Sequence, residues 1–144
     1  MTQPLDTISA VASADASPLA QALARVGDRW TLLVVDALLD GPGRFGELEA
    51  RVAGIAPNIL TDRLRRLERE GLVAPRRYRE RPPRLAYELT EEGRALGAAL
   101  AELAAWGAAH GDGERPRHGC GAPLELRWWC PECGEPADGG LERA

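Results

Sequence analysis

The chain has 144 residues, a formal net charge of -4, a pI near 5.3 and 44% hydrophobic residues. This length allows one domain with a modest core and a small appendage, and no apolar run approaches the roughly 20 residues that a membrane-spanning helix needs. The N-terminal residues lack the basic and apolar regions of a secretory signal, so these features argue against a membrane or secreted protein and favour a cytoplasmic one.

The first two predicted helices follow a polar arm. Residues 1–16 are small, polar and aperiodic, and we interpret them as flexible. Ser17 then caps a first helix that ends at Gly27, and Asp28 caps a second that stops at Gly41. Apolar spacing of three and four residues predicts that the second helix is buried. Its predicted core side chains are Trp30, Leu33, Val34, Ala37 and Leu38.

Two more helices are predicted before residue 72. A short third helix is marked by Phe45, Leu48 and Val52, and a fourth begins near Pro57 and ends at Gly71. The fourth has an apolar stripe of Leu60, Leu64 and Leu67, which we assign to the core together with Trp30 and Phe45. Its opposite face is polar and mostly cationic, with Asn58, Asp62, Arg65 and Arg69 at the centre and Thr61 and Arg66 on the flanks.

A hairpin and a long helix complete the predicted domain. Residues 72–80 and 84–90 are extended runs separated by two prolines, and Pro75 predicts that the first strand lies at an edge. In the second strand, Leu85, Tyr87 and Leu89 are expected to point inward. Thr90 is predicted to cap a single long helix through His110, whose apolar stripe needs a covering surface.

The fourth helix and the hairpin concentrate positive charge. From residue 57 to residue 84 there are nine arginines against four acidic residues, a local charge of +5, which leaves -9 on the rest of the chain. Such a run is by itself often a solvated surface. Three helices followed by a hairpin is, however, the order of a winged helix-turn-helix, in which the third helix enters the major groove of DNA and the wing follows the backbone. The pattern therefore predicts nucleic-acid binding through one basic face.

The motifs GDRWTLL, RFGEL, ILTDRLRRLEREGLV, RPPRLAYELTEEG and a late Trp-Gly pair occur in this order over about residues 18–108. As a set they resemble the HxlR family of winged-helix bacterial transcription regulators. The resemblance implies a mainly α fold with a small β-hairpin wing and with N- and C-terminal dimerisation helices, over residues 17–110. It also implies a homodimer on a pseudo-palindromic operator, with a recognition helix at about 57–70, an Arg-rich wing at about 76–84, and repression as the expected effect.

Two positions depart from the family pattern. Ser17 stands before Pro18 where many redox-sensing members carry a cysteine, which excludes a thiol switch at this position. Ala56 precedes the fourth helix where a serine cap is common, so we expect either a frayed helix start or a phosphate acting as the cap.

Candidate DNA contacts follow from side-chain chemistry. Asn and Arg can contact adenine or guanine bidentately, Asp accepts from cytosine, and Thr can touch a base or a phosphate; the alternative for each position is a solvated helix face. Arg66 and Arg69 are expected to meet phosphate or to pair with Glu70 or Glu68, and Arg44 to meet phosphate or form a surface ion pair. The predicted DNA-binding residues are Arg44, Asn58, Thr61, Asp62, Arg65, Arg66, Arg69, Arg76, Arg77, Arg79, Arg81 and Arg84. The predicted dimer interface consists of Leu19, Leu23, Leu96, Leu100, Leu103 and Trp106.

Residues 111–144 are predicted to be a linker and a cysteine-rich tail. The tail reads H-G-C-G at 118–121 and C-P-E-C-G at 130–134, and the second run resembles a zinc knuckle. His118, Cys120, Cys130 and Cys133 are the candidate ligands of one structural Zn²⁺ per chain. Three free thiols are the alternative.

An enzyme is not expected, because the chain has no phosphate loop or nucleophile elbow and both histidines follow the winged region. Two alternatives to a simple DNA-binding regulator stay open. One is a winged-helix protein-interaction module whose arginines face an acidic partner, and the other is a metal-responsive regulator that uses the tail. The predicted partners are double-stranded DNA, a second copy of the chain and a small-molecule effector of unknown identity, with no membrane.

Overall fold

The computed structural model describes residues 17–80 and 82–137. The chain divides into two compact units, Met1–Gly97 and Ala98–Ala144. Within the described residues, no helix is both long enough and apolar enough to cross a membrane. The domain limits at residues 16 and 110 stay predictions.

Four helices and a very short strand begin the first unit. Helix α1 spans Pro18–Val26, α2 spans Arg29–Leu39, strand β1 is Gly43–Arg44, α3 spans Phe45–Arg51 and α4 spans Pro57–Arg69. Ser17 Oγ accepts a hydrogen bond from Ala20 N at 3.2 Å, and Asp28 caps α2 in the same way through Thr31 N at 3.1 Å. Both predicted caps are confirmed.

The wing is an antiparallel hairpin of β2, Val73–Glu80, and β3, Pro83–Leu89. Strand β1 adds to the other side of β3, so the sheet order is β1-β3-β2 and β2 lies at an edge, as Pro75 predicted. The two-residue β1 was not predicted from the sequence. At the turn from α4 into the wing, Gly71 has a φ of 72°, a conformation that favours glycine.

The single long helix predicted after Thr90 is wrong. The structure has a short helix α5, Glu91–Arg94, followed by α6, Gly97–His110. Thr90 does cap α5, since its Oγ1 accepts a hydrogen bond from Gly93 N at 3.2 Å. Glycines flank the break on both sides, and glycine is a poor helix former. The second unit continues into two short paired strands, β4 at Trp129–Cys130 and β5 at Glu135–Pro136.

The core of the first unit lies between α2, α3, α4 and the base of the wing, and it corrects several predicted positions. In α2 the buried stripe is rotated by one residue, because Thr31 rather than Trp30 or Leu33 faces inward. The Thr31 hydroxyl is satisfied there by the Asp28 carboxylate. Leu33 is exposed, and Trp30 and Phe45 are half-buried rather than core. The fully buried large side chains are Leu48, Leu60, Leu64, Leu67, Val34, Val35 and Thr31.

In β3 the predicted inward alternation holds at one end only. Leu89 is buried and Tyr87 is half-buried, but Leu85 is exposed and Ala86 is buried instead. Strand β1 ends at Arg44, opposite Ala86. Leu85 therefore lies just past the part of β3 that β1 covers.

Candidate nucleic-acid interface

Helix α4 presents one exposed polar face because three leucines fix its opposite side in the core. Leu60, Leu64 and Leu67 are at most 1% exposed. Side chains at three- and four-residue spacing share a face of a helix, so the residues opposite the leucines point outward. Asn58, Asp62, Arg65 and Arg69 are all exposed, as predicted. The burial of the leucines thus sets the orientation of this face.

The start of α4 has no side-chain cap. Its N-cap residue is Ala56, and the helix begins directly at Pro57. Proline has no backbone N–H, so at the first helical position it leaves no amide hydrogen without a partner. The amides of the next residues in the first turn have no intrahelical acceptor, which leaves them available to an anion.

Asp28 ties α4 to the helices that precede it. Its Oδ1 accepts a hydrogen bond from Arg63 Nε at 2.8 Å, and its Oδ2 lies 3.5 Å from Arg66 Nη1. Partial burial by itself would raise the pKa of Asp28. The hydrogen bonds from Thr31 and Arg63 outweigh that effect and hold the pKa below its ordinary value. One carboxylate therefore both caps α2 and orients α4.

We expect Asp28→Ala to lower the free energy of unfolding by about 2 kcal/mol, because it removes a helix cap and takes from Arg63 and Arg66 one of the two partners that each has. Asp28→Asn should cost about half as much, since asparagine still caps a helix. Because folding lowers the pKa, the charge stabilises the fold above the ordinary value of 3.8 and this contribution is lost as pH falls through the folded pKa. Urea unfolding at neutral pH and near pH 3 measures both effects. A gap between wild type and Asp28→Asn that persists unchanged in acid would contradict this role.

Arg66 does not pair with Glu70 or Glu68, which was one of the two roles expected for it; its contact with phosphate stays a prediction. Arg66 Nη2 donates to the carbonyl oxygen of Ala24 at 2.8 Å, and its other nitrogen faces Asp28. Glu70 instead pairs with Arg25 at 2.8 Å. Arg66 therefore links α4 to α1 and α2. The local sequence suggested neighbouring glutamates because such pairs are common along one helix, whereas the observed partners come from another helix.

The candidate base-contacting residues differ in whether their side chains already form hydrogen bonds or ion pairs within the protein. Thr61 Oγ1 donates to Pro57 O at 3.0 Å, and the Asp62 carboxylate accepts from Arg63. Asn58 and Arg65 make no side-chain hydrogen bond or ion pair with another described residue. Of the four candidate base-contacting residues, these two have the most available polar groups.

The wing presents further arginines, and one of them, Arg84, lies beside α3. Arg77 and Arg84 are exposed and form no ion pair with a described residue, while Arg76 lies 3.6 Å from Glu88. Arg84, Tyr78 and Leu85 line a cleft of about 600 Å³ together with the first residues of α3. The side chain of Arg79 and all of Arg81 lie outside the described residues.

Arg44 stands at the junction of α3 and the wing. Its guanidinium pairs with Glu47 at 2.8 Å and lies 5.6 Å from the centre of the Tyr78 ring. Hydrogen bonding to Glu47 raises the pKa of Arg44, and the same contact lowers the pKa of Glu47. The surface ion pair considered for Arg44 is therefore present. Both side chains are exposed, so such a pair adds little stability and leaves the cation accessible.

The four candidate metal ligands of the tail form two pairs. His118 Nδ1 is 3.3 Å from Cys120 Sγ, and Cys130 hydrogen-bonds to Cys133. Hydrogen bonds from the backbone and thiol of Cys133 lower the pKa of Cys130. Within the described residues, no group of three or more His, Cys, Asp and Glu side chains is placed to hold a metal. The metal site stays a prediction.

Helices α2 to α4, the wing and the basic face define a winged helix-turn-helix protein, which confirms the predicted fold class. A family model described as HxlR-like helix-turn-helix matches residues 25–115. An uncharacterized HTH-type transcriptional regulator of Mycobacterium tuberculosis is 41% identical over 125 residues, which is 80% of this chain and 76% of that protein. The chain belongs to the HxlR family. It is a transcriptional regulator with a helix-turn-helix domain, not an enzyme.

Two solved structures agree with this assignment. The redox regulator HypR in its reduced form has a TM-score of 0.61 at 33% identity, covering 65% of this chain and 93% of that one. The reduced form of YodB from Bacillus subtilis has a TM-score of 0.57 at 34% identity, covering 69% of this chain and 99% of that one. The redox role in the first name belongs to that protein.

Proposed function

We propose that this protein binds a specific double-stranded DNA operator through α4, the recognition helix, and through the arginines of the wing. The observation that carries the proposal is that the polar face of α4 is rigidly positioned but unengaged. Three buried leucines and the hydrogen bond to Asp28 fix the orientation of the helix, while Asn58 and Arg65 have no side-chain partner among the described residues. A rigid helix with unengaged polar groups suits recognition, because little further ordering is needed on binding.

The roles within this face follow from the hydrogen-bonding groups that each base presents. Arg65 can donate two hydrogen bonds to guanine, and Asn58 can both donate to and accept from adenine in the major groove. Arg77, Arg84 and Arg44 are assigned to phosphates, which fix the position of the protein without reading sequence. The uncapped first turn of α4 is suited to one further phosphate.

The test compares a specific duplex with a scrambled one. The purified protein selects a binding site from a random duplex pool, and its affinity for that site is measured against a scrambled sequence over a range of salt concentrations. We expect a difference of at least about 10³-fold in affinity. Equal affinity for both duplexes would overturn operator recognition and favour the alternative in which the arginines meet an acidic protein.

We expect Arg65→Ala to weaken binding to the selected duplex by roughly 1–3 kcal/mol, with little effect on scrambled DNA. Arg77→Ala is the matched control from the wing. It should weaken both duplexes alike and lower the slope of log affinity against log salt by about one unit, since it removes one phosphate contact. Fluorescence anisotropy titrations would measure both effects. Equal losses on both duplexes for Arg65→Ala would show that Arg65 contacts only phosphate.

The proposal includes a homodimer on a pseudo-palindromic operator. All residues of α1 except Val26 are exposed in the single chain, including Leu19 at 68% and Leu23 at 52%. An amphipathic helix with an uncovered apolar side is typical of an interface. In α6, Leu103 and Trp106 are exposed, whereas Leu100 is already buried within the chain; Leu96, just before α6, is half-buried. Leu100 therefore adds little to a surface between copies.

Repression is the proposed effect on transcription, because a dimer bound over a promoter excludes the polymerase by occupying the site. A reporter gene whose promoter carries the selected operator tests whether the regulator represses or activates transcription. Expression should fall when the regulator is present and recover with the Arg65→Ala variant. Higher expression in the presence of the regulator would reverse the assignment.

A further inference from the structure

The tail contains two small closed loops, each with a pair of metal-ligand side chains. In the first, Arg117 and Pro123 form a β-bridge, and His118 and Cys120 lie between them. The loop is closed further by a hydrogen bond from Gly121 N to His118 O at 2.8 Å. Gly121 has a φ of 88°, so the chain turns sharply directly after the cysteine.

The second loop repeats this arrangement. Strands β4 and β5 pair Trp129 with Pro136 and Cys130 with Glu135, so that Cys133 lies in the loop between them. Gly134 N donates to Cys130 O at 2.9 Å, and Gly134 has a φ of 69°. In both loops the second candidate ligand is thus a cysteine followed by a left-handed glycine. Tight turns of this kind allow two side chains to approach one ion.

The spacing of the first pair suits chelation. Tetrahedral zinc binds sulfur at about 2.3 Å and nitrogen at about 2.0–2.1 Å, which places two such ligands about 3.6 Å apart. The His118 Nδ1 to Cys120 Sγ distance is 3.3 Å. The two atoms are therefore within a few tenths of an ångström of the separation that one tetrahedral ion requires. Metal binding would replace the hydrogen bond that Nδ1 accepts from Cys120 N at 3.4 Å.

The tail has regular turns but no core. None of residues 111–137 is buried, and the apolar side chains Leu124, Leu126, Trp128 and Trp129 are all exposed. A segment this small needs a source of order other than apolar burial, and the three cysteines form no disulfide. Metal ligation is the usual source in such segments, because binding free energy there is folding free energy.

We propose that His118, Cys120, Cys130 and Cys133 bind one structural zinc ion per chain. The structure holds the ligands as two pairs, and the proposal requires the two loops to close on one ion. Residues 124–128, which join them, form neither helix nor strand and are exposed, so they can bend without disrupting a packed core. Four protein ligands complete a tetrahedral site and leave no open position for catalysis.

The test uses the full chain, purified under reducing conditions without chelator. Native mass spectrometry and elemental analysis should find one zinc per chain. After removal of zinc, added Co²⁺ should produce the visible absorption of a tetrahedral thiolate site. Less than about 0.1 zinc per chain, together with no cobalt spectrum, would overturn the proposal.

Variants assign the ligands. His118→Ala and the double variant Cys130→Ser, Cys133→Ser should each lose the zinc, whereas His118→Cys should keep it because thiolate replaces imidazole. His110→Ala is the matched control: its ring stacks on Trp106 in α6, and it should leave the zinc content unchanged. Zinc that remains in the double variant would overturn the site. Unchanged helical circular dichroism separates ligand loss from loss of the DNA-binding fold.

Discussion

Leu23→Glu is expected to convert the proposed dimer into a monomer and to lower affinity for the operator by at least about 100-fold. A charge in the apolar stripe of α1 cannot be buried against a second copy without a large desolvation cost. A monomer then engages only one half-site, and linked engagement of two sites raises affinity by roughly 10²–10⁴. Sedimentation at micromolar concentration should report a mass of 15.5 kDa, that of a single chain.

The matched control adds the same residue on the other side of α1. Gln21 lies roughly 160° around the helix from both Leu19 and Leu23, at 100° per residue. Gln21→Glu should remain a dimer with operator affinity close to that of wild type. Leu103→Glu tests α6 separately and should also weaken the dimer. A Leu23→Glu protein that stays dimeric and binds the operator normally would remove α1 from the interface.

Gly93→Ala is expected to produce the largest loss of stability, roughly 3 kcal/mol, with a fall of about 10 °C in Tm. A Cβ at Gly93 would lie 2.1 Å from the carbonyl oxygen of Leu72 and 3.0 Å from a methyl group of Leu89. The Leu72 oxygen cannot easily move away, because it accepts a hydrogen bond from Thr90 N at 3.0 Å. Alanine must therefore displace backbone at the base of the wing.

Gly46→Ala is the control for this prediction. Gly46 also lies in a helix of the first unit, but a Cβ there would meet nothing within 4 Å. Alanine at an open helical position stabilises by about 0.5–1 kcal/mol relative to glycine. Thermal unfolding of the two variants should therefore shift in opposite directions. Equal Tm values would show that the close approach at Gly93 is relieved without cost.

Most helix limits could be predicted from the sequence because caps and stops act locally. Ser17, Asp28 and Gly71 each use a side-chain oxygen or a backbone conformation that needs no distant partner. The outward face of α4 was also predictable, since burying three leucines at helical spacing leaves its polar residues exposed. The hairpin could be predicted from two extended runs around two prolines, although the inward position predicted for Leu85 was wrong.

The remaining features depend on contacts between distant parts of the chain. Asp28 and Arg63 are 35 positions apart, and nothing in the local pattern assigns one to the other. The break after α5 accompanies the packing of Gly93 against Leu72, which only the folded chain brings together. The inward position of Thr31 was missed for a related reason, because a hydroxyl is expected to avoid the core unless a partner such as Asp28 is known.

The hydrogen bonds between α1 and α4 have a consequence for spacing along the double helix. Arg25 binds the Glu70 carboxylate and the Glu70 carbonyl oxygen, and Arg66 binds the carbonyl oxygen of Ala24. The end of the proposed dimerisation helix is thus fastened to the end of the recognition helix. In a dimer, the distance between the two α4 helices follows directly from how the two α1 helices pair. Successive major grooves on one side of DNA are about 34 Å apart. The way the two α1 helices pair would therefore set the separation between the two half-sites that the dimer can bind. A ligand that shifts α1 by a few ångströms would move both α4 helices out of register with the major grooves, without contacting either α4 helix.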